Sequence, residues 1–492
     1  MMKKPNILWY CTDQQRYDTI RALGNEYIRT PNLDRLFQNG VAFLNAYSQA
    51  PICTPSRATF LTGQYPATHH VCRNGNDYFH TDGKLVTRIL ADHGYDCGLV
   101  GKLHLTRSEG RIEKRTDDGY RFFQWSHHPQ PDWPEGHAYA DWLKNEKGIE
   151  PERLYSSLRG VPYGPGVPAE YHQTTWCTEM AMRFIAEKRD GPWLLSVNPF
   201  DPHPPFDPPK EYLDRYVPEE LPYPLFQAGD IERQQAFAAV DQQTVNAINP
   251  YDAEKKAPPE WGVKTERYAG SEPPDFYDPR KVKACYYASI ELIDHEFGRL
   301  IDFLESIGEL ENTIVIFTSD HGELLGDHGL IYKGCRFFES LTHVPLIVSW
   351  GEKTPTNLKS NALVELVDIA PTLLEAAGIE IPYTMQGKSL LDLLTGRKDP
   401  DTHKPYVICE YNDALNQPNE THGSMYFDGR YKSILYHNIN VGEIYDLHTD
   451  PGEFDNLWND PEHAALKCDL LERHFNAIML SSGAGVYRSG AY

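Results

Sequence analysis

No run of apolar residues in this chain approaches the ~20 needed to span a bilayer, so no transmembrane anchor is expected. No small-residue cleavage site follows the early apolar run Ile7–Cys11, so no signal peptide is visible and a cytoplasmic location is the expectation. A chain whose leader has already been removed fits the same observation. Cys-x-x-Cys pairs are lacking: nine cysteines, an odd count, are spread from Cys11 to Cys468. That pattern reads as reduced thiols rather than a disulfide framework. Basic charge is also short, with 47 Lys and Arg against 70 Asp and Glu, a formal net charge of −23. The deficit disfavours a nucleic-acid footprint and docking on anionic lipid. It leaves an anionic substrate open, because a local basic pocket can sit inside an acidic surface. No internal repeat stands out, and oligomeric state is not legible.

With 492 residues the chain is long enough to bury a full core, and its 40% hydrophobic and 24% charged content is that of a globular protein. Helix and strand patterns alternate. Short apolar runs at Ile7–Cys11, Val41–Leu44, Tyr95–Val100, Trp193–Val197, Thr313–Phe317 and Val344–Val348 read as buried strands. Asn32–Gln38, Leu85–His93, Thr174–Lys188 and Ala288–Ser306 read as helices. In the last of these Ile290, Ile293, Phe297, Leu300 and Leu304 share one face. Such alternation predicts an α/β fold, a large, mostly parallel sheet flanked by helices.

Two regions break the pattern. Residues 199–279 hold 15 of the 37 prolines and few periodic segments, which predicts a long irregular insertion at about 199–280. From about residue 396, short strand-like runs (Tyr406–Glu410, Ser424–Phe427, Tyr431–Leu435, Glu443–Asp446) alternate with turns, and a helical stretch at Ala464–Met479 follows. We therefore expect an α/β region over 1–395 and a C-terminal α+β subdomain over 396–492, with a smaller antiparallel sheet and a closing helix.

Chemistry-bearing residues cluster after the predicted strands. Thr12-Asp13-Gln14-Gln15 follows the first, and its carboxylate and amide oxygens suit a hard cation. Ser319-Asp320-His321-Gly322-Glu323 follows the strand ending at Phe317. Gly101-Lys102-Leu103-His104 follows the strand ending at Val100. Ligands at the carboxyl ends of parallel strands occupy the usual site of open α/β folds. Cys53-Thr54-Pro55-Ser56-Arg57 places a thiol at a helix start, with proline just inside, where backbone N–H groups favour an anion. Read singly, each has a plain structural alternative: Cys53 as a small buried thiol, Asp13 or Asp320 as a cap, Lys102 as a surface cation, Asn74 in Asn74-Gly75 as a turn.

Taken together, Cys-Thr-Pro-Ser-Arg and its extension Leu61-Thr62-Gly63-Gln64-Tyr65-Pro66 resemble the signature of the type I sulfatases, in the alkaline-phosphatase-like superfamily. The resemblance runs through motifs from about residue 5 to about 395. It implies that a maturation enzyme oxidises Cys53 to formylglycine, whose hydrated aldehyde supplies the nucleophilic oxygen. It implies one divalent metal at Asp13, Gln14, Cys53, Asp320 and His321. Many sulfatases have Asp at the position of Gln14 and Asn at that of His321. Calcium is the first expectation, and the imidazole makes manganese the alternative.

The same resemblance gives Lys102 and Lys333 sulfate oxygens to hold, makes Arg57 the brace of the nucleophile loop and His104 a proton carrier at the hydrate, and makes His203 the acid to the leaving oxygen. Asn74 becomes a further sulfate contact. The expected activity is hydrolysis of a sulfate ester, of a small molecule or a saccharide, with Trp125, Trp133 and Trp261 as aromatic candidates for sugar contact. A phosphonate or phosphate ester hydrolase with the same nucleophile is the enzyme alternative. A non-catalytic anion-binding protein with unmodified Cys53 is the alternative from another class. The adjacent pairs His69–His70 and His127–His128, and Asp327–His328, carry less weight. Glu323 to His328 reads as a supporting loop behind the metal residues.

Overall fold

The computed structural model describes all residues except 1–3, 81–82, 109–111, 130–135, 245, 266–275, 484, 486–488 and 491–492. Eight strands, β1 (Asn6–Thr12), β2 (Val41–Tyr47), β3 (Asp96–Gly101), β4 (Phe122–Trp125), β5 (Trp193–Asn198), β6 (Thr313–Ser319), β7 (Leu346–Ser349) and β8 (Leu358–Glu365), form one sheet in the order β4-β3-β5-β1-β6-β7-β2-β8. Only β7 pairs antiparallel, to β6 and β2. The other pairings are parallel.

Strand β1 shows why the sheet read as apolar runs rather than alternation. Leu8 and Tyr10 enter the core on one face, against the helices Gln173–Ala186 and Pro279–Ser306. Ile7, Trp9 and Cys11 enter the other, against Cys53–Thr62, Val86–Asp92 and Ile369–Ala376. A strand covered on both faces has no polar side to show. Two strands escaped the sequence reading. In β4 only Trp125 of its four residues is fully buried, and the first half of β8 is polar and partly exposed. The long helix begins at Pro279, nine residues before the expected Ala288. Asp278 caps it, accepting from the N–H groups of Arg280 (3.1 Å) and Lys281 (3.0 Å).

A second sheet, antiparallel, has the order β12-β11-β10-β9: β9 (Val407–Asn412), β10 (His422–Phe427), β11 (Tyr431–Tyr436) and β12 (Val441–Asp446). The helix Ala464–Ser481 lies on it, pinned where His474 meets Ser433 Oγ and Ser424 Oγ, both at 3.0 Å. In the proline-rich region the described residues form loops and the short helices Lys210–Leu213, Asp230–Gln235 and Pro250–Lys256. No helix among the described residues is long and apolar enough to cross a membrane. All nine cysteines are free thiols.

Candidate active site

The carboxyl edge of the parallel strands delivers the site piece by piece. β1 hands over Asp13 and Gln14, and its neighbour β6 hands over Asp320 and His321. β3 leads to Lys102 and His104, and β5 leads to Phe200 and His203. Gly101 makes the exit from β3 possible: its φ is +98°, and a Cβ there would lie 2.0 Å from the Asn198 carbonyl oxygen. Cys53 arrives from the turn after β2. Ile52 is extended, Cys53 opens the helix Cys53–Thr62, and left-handed Gly63 ends it, donating to Thr59 O. Asn74 Oδ1 accepts the Thr54 N–H at 3.0 Å, so its first role is to satisfy one of the unpaired donors at this helix start.

The Cys53 sulfur, 1% exposed, is ringed by charge. His321 Nε2 and Lys333 Nζ lie 3.1 Å from Sγ, Asp13 Oδ1 3.6 Å and Lys102 Nζ 3.7 Å. Arg57 lies beneath. Its Nε donates to Asp320 Oδ2 (2.8 Å), Nη1 to the Lys102 carbonyl (3.0 Å) and Nη2 to Asp13 Oδ2 (3.4 Å). Lys102 Nζ donates to Asp13 Oδ2. Gln14 is held at φ +67° by its N–H on Asp320 Oδ1 (3.0 Å) and by the Tyr286 hydroxyl on its carbonyl (2.6 Å). Its side-chain amide N–H donates to Glu323, and Gln14 Oε1 accepts from Lys333 Nζ at 2.8 Å. Glu323 also accepts the N–H groups of Leu325 (2.9 Å) and Tyr332 (2.6 Å), joining Gln14 to the Lys333 loop.

Burial alone would raise Asp13, but Lys102 and other nearby cations override it and hold the carboxyl well below its ordinary range. For Cys53, burial and Asp13 favour the thiol, while Lys102, Lys333 and His321 outweigh them and lower it. Burial would lower His321, but Asp320 and Cys53 raise it. His104 is pushed well down by burial and then by Lys102 and Arg57. His203 is pushed well down by burial and then by Lys333. Both imidazoles are therefore neutral at physiological pH in the free protein.

Asp13, Cys53, Asp320 and His321 offer donor atoms all within 4.8 Å of one another, all buried. The His321 Nδ1 lies 2.9 Å from the Gly322 carbonyl, which can only accept, so Nδ1 carries a hydrogen and Nε2 faces the cluster. Carboxylates, an imidazole and the nearby Gln14 oxygen make a donor set that fits a divalent cation.

The other sequence candidates fall as follows. His203 sits on the loop after β5, with Nδ1 2.7 Å from Pro204 O and its ring 4.5 Å from that of Phe200. His69 lies away from the cysteine, bonded to Thr59 Oγ1 and the Val71 N–H. His127 does reach the site, its ring meeting His104 edge-on at 4.5 Å. Asp327 pairs with Arg16 (2.7 Å) and His328 stacks on Phe338. Trp125 corrects one expectation. It is 2% exposed, with its indole N–H on Glu113 (3.0 Å), so it is core and no sugar contact. Trp261 is partly buried beneath Lys281, and Trp133 lies outside the described residues. Phe200, whose ring centre is 5.3 Å from Lys102 Nζ, and Glu113 were missed, because a lone aromatic or acidic loop residue carries no spacing signal.

Comparison with known proteins places the chain in a family. A family profile described as Sulfatase matches residues 5–379, and one described as N-sulphoglucosamine sulphohydrolase, C-terminal, matches residues 326–478. The chain is 30% identical to an arylsulfatase of Clostridium perfringens, over 94% of this chain and 91% of that one. It is 26% identical to an N-acetylglucosamine-6-O-sulfatase of Bacteroides thetaiotaomicron, over 96% of this chain and 85% of that one. Among solved structures, the phosphonate monoester hydrolase of Agrobacterium radiobacter superposes with a TM-score of 0.78 at 25% identity, over 98% of this chain and 96% of that one. With a profile match across most of its length and a relative of this identity and coverage, the chain belongs to the sulfatase family of the alkaline-phosphatase-like superfamily and is a sulfuric ester hydrolase.

Proposed function

We propose that this enzyme hydrolyses a sulfate ester carried by a saccharide, with formylglycine derived from Cys53 as nucleophile and one divalent metal. The observation that carries the reading is the ring of Asp13, His321, Lys102 and Lys333 within 3.7 Å of the Cys53 sulfur. Oxidation of Cys53 by a maturation enzyme would supply an aldehyde whose hydrate carries the attacking oxygen. Asp13, Gln14, Asp320 and His321 would hold the metal, which when bound neutralises charge on the sulfuryl group. Calcium and manganese are the ions to test, the imidazole ligand favouring the second.

The remaining work falls to the chain's own side chains. Lys102 and Lys333 bind the sulfuryl oxygens and offset the negative charge that repels a nucleophile. Arg57 fixes Asp13, Asp320 and the Lys102 backbone in one frame. Neutral His104 is able to take a proton. His203 gives one to the departing alcohol oxygen, once an anionic ester between the lysines offsets the charge that keeps it neutral. Asn74 holds the helix start and is a candidate contact to the same anion. Substrate class follows the N-acetylglucosamine-6-O-sulfatase relative. In this reading residues 1–395 form the catalytic region, with the insertion at 199–280 as its rim, and 396–492 form a supporting subdomain.

The test has two parts. The peptide mass across Cys53, from protein co-expressed with a maturation enzyme, should be that of formylglycine. Unmodified cysteine under those conditions would move the reading to anion binding without turnover. Hydrolysis of matched aryl sulfate and aryl phosphonate esters then decides the chemistry. Gln14, His321 and the phosphonate hydrolase neighbour favour the second reading, phosphonate or phosphate ester hydrolysis. Faster phosphonate than sulfate turnover would establish it.

A further inference from the structure

Residues 104–106 carry three consecutive backbone N–H groups that converge on one side chain. Glu113 Oε2 accepts from His104 N at 2.8 Å, and Oε1 accepts from Leu105 N at 2.5 Å and Thr106 N at 2.9 Å. The Trp125 indole N–H completes the set at 3.0 Å on Oε2. Glu113 is 2% exposed; burial pushes its carboxyl up, and the four neighbouring donors pull the other way, toward the carboxylate. His104 sits at φ +56°, a conformation that costs a non-glycine residue free energy and persists only where its surroundings impose it. Elsewhere Leu103 and Leu105 are buried in the core, the Thr106 hydroxyl donates to Lys114 O (3.2 Å), and the ends of the loop are tied down. Arg57 and Asn198 hold the Lys102 carbonyl (3.0 and 2.9 Å), and Arg107 N bonds Asn76 O (2.7 Å).

We infer that Glu113 is a positioning residue for turnover. By gathering the 104–106 amides it holds the strained turn that aims the His104 imidazole at the Cys53 site, without itself touching substrate. The inference rests on the proposed role of His104 in turnover. It differs from a plain structural role in one consequence: the effect of Glu113 on rate runs through His104 and disappears when His104 is gone.

A double-mutant cycle on the activated, metal-loaded enzyme, assayed with a chromogenic aryl sulfate, tests this. Glu113→Gln keeps the volume but turns an amide N–H₂ toward backbone donors. It should lower kcat about 30-fold or more, change KM less than about threefold, and cost less than about twofold in a His104→Ala background. Trp125→Phe, which removes one donor and leaves the carboxylate, should give a smaller loss that also vanishes with His104→Ala, and it serves where Glu113→Gln fails to fold. Equal losses in both backgrounds, or an unchanged kcat in both variants, would overturn the role of Glu113 while leaving that of His104 intact. An unchanged kcat for His104→Ala alone would overturn the His104 reading and this inference with it.

Discussion

Arg57 and Cys53 lie four residues apart on one helix and are predicted to fail in different ways. Cys53 is a small group whose contacts are to charged partners that also hold one another, so Cys53→Ala should leave thermal stability within about 1 kcal/mol. It should reduce ester hydrolysis by about three orders of magnitude or more, because no other side chain can supply the nucleophile. Near-wild-type turnover would end the covalent reading. Arg57 is 1% exposed and bonds two buried carboxylates and a carbonyl. Its loss leaves Asp13 and Asp320 without their guanidinium, and breaking such buried pairs costs about 3–5 kcal/mol. Arg57→Ala should therefore lower both activity and the urea midpoint. Loss of activity with an unchanged midpoint would mean that the guanidinium acts on substrate alone.

At the scale of elements, the exits of the strands matter more than the strands. The turn from β3 into Lys102 depends on Gly101, where any Cβ would meet the Asn198 carbonyl at 2.0 Å on a backbone with φ +98°. Gly101→Ala should cost more than about 2 kcal/mol and displace Lys102, so turnover should fall together with the melting temperature. A variant as stable and active as the parent would show that the loop has room to shift. The long helix is a gentler case. Asp278→Ala removes two cap hydrogen bonds and should cost about 1 kcal/mol with kcat unchanged, because neither bonded N–H belongs to a residue of the Cys53 site. Stability by urea titration and a single kcat check both halves of that statement.

At the scale of the whole molecule, acid should loosen the fold through histidines buried neutral. His69, His137 and His474 are each held near 3, far below the ordinary 6.5, with burial as the main cause. Between those values the unfolded chain binds protons that the folded chain refuses. Stability is therefore fully present above about pH 6.5 and falls as pH drops toward 3, by up to about 1.4 kcal/mol per pH unit for each group. His474 ties the closing helix to β10 and β11. His474→Gln should flatten the slope of stability against pH between 4 and 6 by about one proton's share. An unchanged slope would mean that His474 is already protonated in the folded state.

Much of this protein is decided locally. The apolar runs of β1, β3, β5 and β6, the Pro-Ser-Arg start of the nucleophile helix, and Asp13, Lys102 and Asp320 just past strand ends are legible because each depends on near neighbours in the chain. The C-terminal strands were legible for the same reason, and β10, β11 and β12 are joined by turns of three or four residues. Tertiary structure decided the rest. β4, Phe-Phe-Gln-Trp, is too short to signal a strand by itself, and the outer half of β8 is polar; both are strands because a neighbour offers a free edge. Trp125 carries the residue type of a sugar contact, but packing put it in the core. Gln14 presents its oxygen to the site because Glu323, 309 residues away, accepts an amide N–H. Sequence names the groups that can do chemistry, but the direction in which a side chain points is set by partners that the chain brings together only on folding.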